Sequence, residues 1–257
     1  MEEVLRYYLE NTRVTQAILD SRLRHPVTGL EIPRRNVYHR IEKYADDFLA
    51  DGYEPRAIAL AGLRGIGKTT LLWQLAAHLS GKFGNAVFFF NVNALTALGV
   101  KLSIALEAFQ QHVLKQRLRD LDQPVVLLFD EVHDDSDWGR TIKVVIDEAP
   151  GAFVACTGSS ALLLQQTADL ARRMTVVKVF PFKFHEYLDA RQRLSEGKDT
   201  GWNQASSDKL KQALFYAQNI DDSRLLLESI KPQVSAYLPS KGPVSYTHLT
   251  LPTSYPV

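Results

Sequence analysis

Gly62-Leu63-Arg64-Gly65-Ile66-Gly67-Lys68-Thr69 fits the string G-x-x-x-x-G-K-[ST] without a mismatch. The apolar run 57–61 directly before it has the length and bounds of a buried strand. The stretch 69–80 directly after it carries Leu71, Leu72, Leu75 and Leu79 on one helical stripe, with Gly81 as its stop. A glycine-rich turn between a strand and a helix points successive N–H groups inward, and the helix N-terminus adds partial positive charge. Such a loop is built to hold phosphate groups. Gly62, Leu63, Arg64, Gly65, Ile66, Gly67, Lys68, Thr69 and Thr70 are therefore the expected nucleotide-binding residues. Lys68 reaches the β- and γ-phosphates as a catalytic cation, and the Thr69 hydroxyl ligates Mg2+.

Outward from this loop, apolar runs at 57–61, 86–92, 125–129, 153–156 and 176–180 alternate with helical patterns. That alternation predicts a parallel sheet with helices on both faces, a three-layer α/β fold. The first fifty residues read as helical, broken at Pro26-Val27-Thr28-Gly29. Their clearest helix has Val37, Ile41, Tyr44, Ala45 and Phe48 at three-and-four spacing and Gly52 at its end. Beyond about Glu186 the strand-like runs vanish and helical patterns cover 208–217 and 221–230. The expected organisation is an N-terminal helical segment over 1–55, a nucleotide-binding domain over 56–187, a partial helical subdomain over 188–243 and a tail over 244–257.

Val125-Val126-Leu127-Leu128-Phe129-Asp130-Glu131 is an apolar strand ending in two carboxylates. Ligands bind at the carboxyl ends of strands in open α/β sheets, which puts both acids at the phosphates. Asp130 holds Mg2+ through its hydration shell, and Glu131 orients and deprotonates the attacking water. Phe153-Val154-Ala155-Cys156-Thr157-Gly158-Ser159-Ser160 is a further strand ending in small polar residues. Set between the other two, it brings Thr157 or Ser159 to the γ-phosphate and the water. Equally, Ser159 or Ser160 caps a helix from Ala161.

In this order the motifs resemble those of the bacterial and archaeal ATPases of the AAA+/STAND group. In that group an acidic D-E pair precedes a strand ending T-G-S-S, then a helix ending in arginine, then a P-x-x-F-x-E-[FY] segment. The matching stretches are Asp130-Glu131-Val132-His133, Thr157-Gly158-Ser159-Ser160, Leu170-Ala171-Arg172-Arg173 and Pro181-Phe182-Lys183-Phe184-His185-Glu186-Tyr187. The resemblance covers about 56–187 and implies a P-loop fold with strand order 5-1-4-3-2, a helical lid and a further C-terminal domain. It also implies that Arg173, or its neighbour Arg172, reaches the γ-phosphate of its own site or of a neighbour's. Val244-Ser245-Tyr246-Thr247-His248-Leu249-Thr250-Leu251-Pro252-Thr253 resembles an in-frame translation of a transposase adaptor from sequencing libraries. The tail is therefore set outside the fold, and the natural protein is expected to continue beyond about Pro243.

The expected function is ATP binding and Mg-dependent hydrolysis that drives a conformational switch in a larger protein, with ATP and Mg2+ as the bound groups. The alternatives are a nucleotide-gated binding module with negligible turnover and a small-molecule kinase. The adjacent Asp130-Glu131 pair favours water over another acceptor, and no N-K-x-D or T-K-x-D string is present to read guanine. ATP or ADP, and a protein partner or the further domain, are the expected partners. The 257 residues are 46% hydrophobic and 23% charged with a formal net charge of +1, which gives no overall field for nucleic acid or membrane. A local basic cluster runs through Arg22, Arg24, Arg34, Arg35, Arg40 and Lys43 and is read as solvated surface. No apolar stretch approaches the roughly 20 residues of a membrane-spanning helix. The lone Cys156 asks for no oxidising compartment, so cytoplasm is the expected location. His133 either senses phosphate or is solvated, and Trp138 is read as packing its helix on the sheet.

Overall fold

A computed structural model describes residues 2–52, 54–159, 168–196, 208–209 and 212–237. The chain divides into two compact units, Met1–Phe182 and Lys183–Val257. In the first, helices α1 (Glu2–Glu10), α2 (Gln16–Leu23) and α3 (Asn36–Asp51) precede β1 (Ala57–Ala61). Then follow α4 (Lys68–Phe83), β2 (Val87–Asn91), α5 (Val92–Ala97), α6 (Leu102–Phe109), β3 (Val125–Asp130), α7 (Trp138–Glu148), β4 (Ala152–Gly158) and β5 (Thr175–Lys178). The five strands form one parallel sheet in the order β2-β3-β4-β1-β5, the order that the motif resemblance implied.

Because side chains alternate along a strand, each strand feeds both faces. Ala59, Phe88, Phe90, Leu127, Phe129, Val154 and Cys156 enter one buried cluster with α5 to α7 and Leu9 of α1. Ile58, Leu60, Phe89, Val126, Leu128 and Ala155 enter the other, beneath α2, α3 and α4. Both faces are covered, and β1, β3 and β4 are buried along their whole length. Aromatic rings fill the wide gaps: Phe90 stacks on Phe129 at 5.1 Å and meets Phe109 edge-on, while Trp73 of α4 stacks on Phe89 at 3.7 Å. Trp138, the first residue of α7, is buried in the first cluster, in keeping with its reading as a residue that packs its helix on the sheet. The free edge of β2 is covered by the link between α1 and α2, since Val14 N–H donates to Val87 O and Phe89 N–H to Thr12 O.

Several element ends differ from the sequence reading, and two of them have a plain local cause. Helix α4 runs through Gly81 to Phe83, because one interior glycine costs only about 1 kcal/mol and apolar contacts outweigh it; Gly84, at φ 54°, is the stop. Strand β5 leaves the ladder after Lys178 although the apolar run continues to Phe180. Val179 N–H still reaches Ala61 O, but Pro181 has no N–H to donate and turns the chain away. Gly52, at φ 73°, ends α3 as expected.

The second unit contains the helices Phe184–Glu196 and Ile220–Tyr237. The tail 244–257 lies outside the described residues. Among the described residues no helix is long and apolar enough to cross a membrane.

Candidate functional site

The sheet order decides which residues meet. Because β4 lies between β3 and β1, Leu60, Thr157 and Asp130 come level at the carboxyl edge, and the loop 62–67 leaves β1 one step beyond. That loop is held against β5: a Cβ at Gly62 would run into the Val179 carbonyl and the Ile66 side chain, so only glycine fits there. Gly67, at φ 91°, turns the chain into α4. Lys68, the first helical residue, is 4% exposed and its ammonium donates to the Gly62 and Leu63 carbonyls at 3.1 and 2.9 Å. Leu63 faces solvent, and Thr70 is half-buried on α4.

Thr69 and Asp130, sixty-one positions apart, meet at this edge: the Thr69 hydroxyl lies 3.0 Å from both carboxylate oxygens of Asp130. Asp130 is 5% exposed. Burial pushes its carboxyl above the ordinary range, while the Thr157 and Thr69 hydroxyls pull it back; nearby Glu131 adds to the rise and Lys68 opposes it. Thr157 is fully buried and uses its hydroxyl twice, donating to Asp130 Oδ1 at 2.6 Å and accepting the Glu131 N–H at 2.9 Å. In this geometry the Thr157 oxygen bonds both acids, one through the side chain and one through the backbone N–H.

Glu131 has φ 55°, a left-handed backbone that is costly for a residue with a side chain. The twist turns its N–H toward Thr157 and takes its carboxylate out of the strand direction. His133 faces that carboxylate, with Nδ1 3.3 Å from Glu131 Oε2 and Nε2 3.8 Å from Asp134 Oδ1, and Asn93 of α5 donates to Asp134 Oδ2 at 2.7 Å. Sequence reasoning left His133 as a phosphate sensor or a solvated residue; its actual neighbour is the second acid. Ser159 is half-buried just past β4, and the cap reading for a helix from Ala161 lies outside the described residues.

Arg173 is not brought to this cluster. Thr175 pairs with Ile58 near the start of β1, so Arg173, two residues before β5, stands at the amino edge of the sheet. At 3.3 Å per residue, the start of β5 beside Ile58 is about 13 Å from Gly62, and Arg173 precedes it. There its Nε donates to Asp147 of α7 at 2.6 Å. Arg172 beside it is exposed. Both arginines thus precede β5, at the edge of the sheet opposite to the loop 62–67.

Most of the basic cluster is spent locally. Arg24 pairs with Asp20 at 3.8 Å, Arg34 with Glu42 at 3.3 Å and Lys43 with Asp47 at 2.8 Å. Arg22 lies over Trp73, and Arg40 bonds the Tyr44 hydroxyl. Arg35 departs from the group: it is buried and donates to the carbonyl of Ile66 within the loop, a contact that nothing in the local sequence signals.

Comparison with known proteins adds a family and a relative. A family model described as an AAA domain matches residues 54–188. An uncharacterized protein of Methanocaldococcus jannaschii is 33% identical over 156 residues, which are 60% of this chain and 32% of that protein. The chain thus spans about a third of that relative's length. Among solved structures, C. elegans PCH-2 is 17% identical, with 87% of this chain and 74% of that one covered and a TM-score of 0.44. The Thermotoga maritima RuvB Holliday junction branch migration motor is 18% identical, with 77% and 70% covered and a TM-score of 0.45. The Aeropyrum pernix ORC1 protein in complex with DNA is 16% identical, with 78% and 59% covered and a TM-score of 0.46.

Proposed function

This chain belongs to the AAA domain family, and from that premise we propose that it binds ATP at the loop 62–69 and hydrolyses it, driving a conformational change in a larger protein. The observation that carries the proposal is the meeting of Thr69, Asp130 and Thr157 at the carboxyl edge, with Glu131 set beside them by a strained backbone.

Each residue then has a part. The loop's N–H groups and the start of α4 take the phosphates. Lys68 exchanges the Gly62 and Leu63 carbonyls for β- and γ-phosphate oxygens. Thr69 and Asp130 are the residues that would hold Mg2+. The fit is chemical: both present oxygen to a hard cation, and a buried carboxylate raised by desolvation gains from a neighbouring positive charge. Bound there, the ion would supply positive charge against the phosphate oxygens. Glu131 accepts the proton of the attacking water, and Thr157 holds the Glu131 backbone in place.

Glu131→Gln tests the proposal. The amide holds a water but accepts no proton, so the variant should bind ATP like the parental chain and lose about two to four orders of magnitude in turnover. Parental turnover in that variant would refute the assignment of Glu131. Asp130→Asn should instead weaken the dependence on Mg2+.

A further inference from the structure

Arg35 stands immediately before α3, yet its side chain turns inward and the residue is 8% exposed. Its guanidinium donates to the Ile66 carbonyl and to the Phe180 carbonyl, each at 2.9 Å, and lies over the Phe182 ring, 4.0 Å from the centroid. Three stretches far apart in sequence thus converge on one planar group. Arginine suits this task, because its fork of donors can serve two carbonyls at once while its face stacks on a ring.

What the contacts control follows from the peptide groups involved. The Ile66 carbonyl and the Gly67 N–H belong to one planar unit, so fixing the oxygen also fixes the direction of the N–H. A cation on that oxygen polarises the unit and makes the N–H a stronger donor to an anion. The Phe180 carbonyl belongs to the chain just after β5, two residues before the first unit ends at Phe182. Phe180 and Phe182 are themselves exposed, and Arg35 ties this stretch to the loop through one carbonyl and one ring face. A buried guanidinium must keep its partners, and a shift of the loop carbonyl therefore pulls on the other two contacts.

We propose that Arg35 is a positioning residue that couples the phosphate loop to Phe180 and Phe182, the stretch through which the chain passes into its second unit. Nucleotide on the loop fixes the Ile66–Gly67 peptide, Arg35 settles against it, and the exit stretch tightens. The inference rests on the nucleotide binding proposed above.

The test uses the full chain, MgADP as probe, and Arg35→Lys, which keeps the charge but cannot bridge two carbonyls. Calorimetric titration should give binding about tenfold weaker than parental, the scale of one lost charge-assisted hydrogen bond. In the parental chain MgADP should slow chymotryptic cleavage after Phe182 several-fold; in Arg35→Lys it should not. Arg35→Met should behave like Arg35→Lys with a larger loss of affinity, and if it does not fold, Arg35→Lys decides. A merely structural role would lower the Tm equally with and without MgADP and leave affinity untouched, which overturns the proposal. So does weaker binding with the protection after Phe182 intact. Titration of the parental chain separates the two readings, because its failure to bind MgADP would refute nucleotide binding itself.

Discussion

Thr157→Val removes one oxygen from a fully buried position and leaves the shape almost unchanged. The lost hydroxyl donates to Asp130 Oδ1 at 2.6 Å and accepts the Glu131 N–H at 2.9 Å. A hydrogen bond to a charged group contributes about 1.5–3 kcal/mol, and a stranded donor costs about 1–3 kcal/mol. Both terms pass through one oxygen and are not additive, so we expect a net loss of about 3 kcal/mol. For a unit the size of Met1–Phe182, that lowers the Tm by about 6–12 °C. Thr157→Ser is the control, since it keeps the oxygen and gives up one methyl, worth about 1 kcal/mol. Acid gives a second check. Burial already favours the protonated carboxyl of Asp130, and loss of the Thr157 hydroxyl favours it further. The gap between Thr157→Val and the parental chain should therefore narrow as pH falls and Asp130 becomes neutral in both. Urea denaturation of the nucleotide-free chains at several pH values measures these differences. A valine variant as stable as the serine variant would refute the view that the Thr157 oxygen holds the two acids.

Two further outcomes follow from contacts away from the phosphate loop. Asp46 of α3 is partly buried against α4, which raises its carboxyl, but hydrogen bonds from Lys82 and His78 outweigh this and hold it below its ordinary value. Its contribution is present above the unfolded value and fades as pH falls through the folded one, so Asp46→Asn should cost up to about 1 kcal/mol at pH 7 and nothing near pH 2; an equal cost at both pH values would refute the ionic origin. Arg173→Ala should leave MgATP affinity unchanged and cost no more than about 1 kcal/mol, since the pair with Asp147 is half-exposed; a tenfold weaker affinity would put the side chain at its own phosphate loop.

The parts of the site that were legible in the sequence are those whose geometry is local. The loop 62–69 is bounded by its own strand and helix, and a strand that ends in Asp130 delivers that residue to the carboxyl edge whatever its neighbours are. Thr157 was legible only as a residue near the site. Its part as the bond between Asp130 and Glu131 depends on β4 lying beside β3, a fact of sheet order that no spacing within 153–160 contains.

The two arginines make the same point in opposite directions. Arg173 follows Thr157 by only sixteen positions, yet a parallel sheet obliges the chain to return to the amino edge before β5 begins, so the short separation leads away from the phosphates. At that edge the Arg173 Nε bonds Asp147 of α7. Arg35 sits 31 positions before its partner in the loop and 145 before its partner after β5, among charges that read as surface. It reaches the loop because α3 and the stretch before it pack beside α4, whose first residues are the phosphate loop's own continuation. In this fold, nearness to the nucleotide is set by the strand end on which a residue stands, and the number of residues between them is no guide.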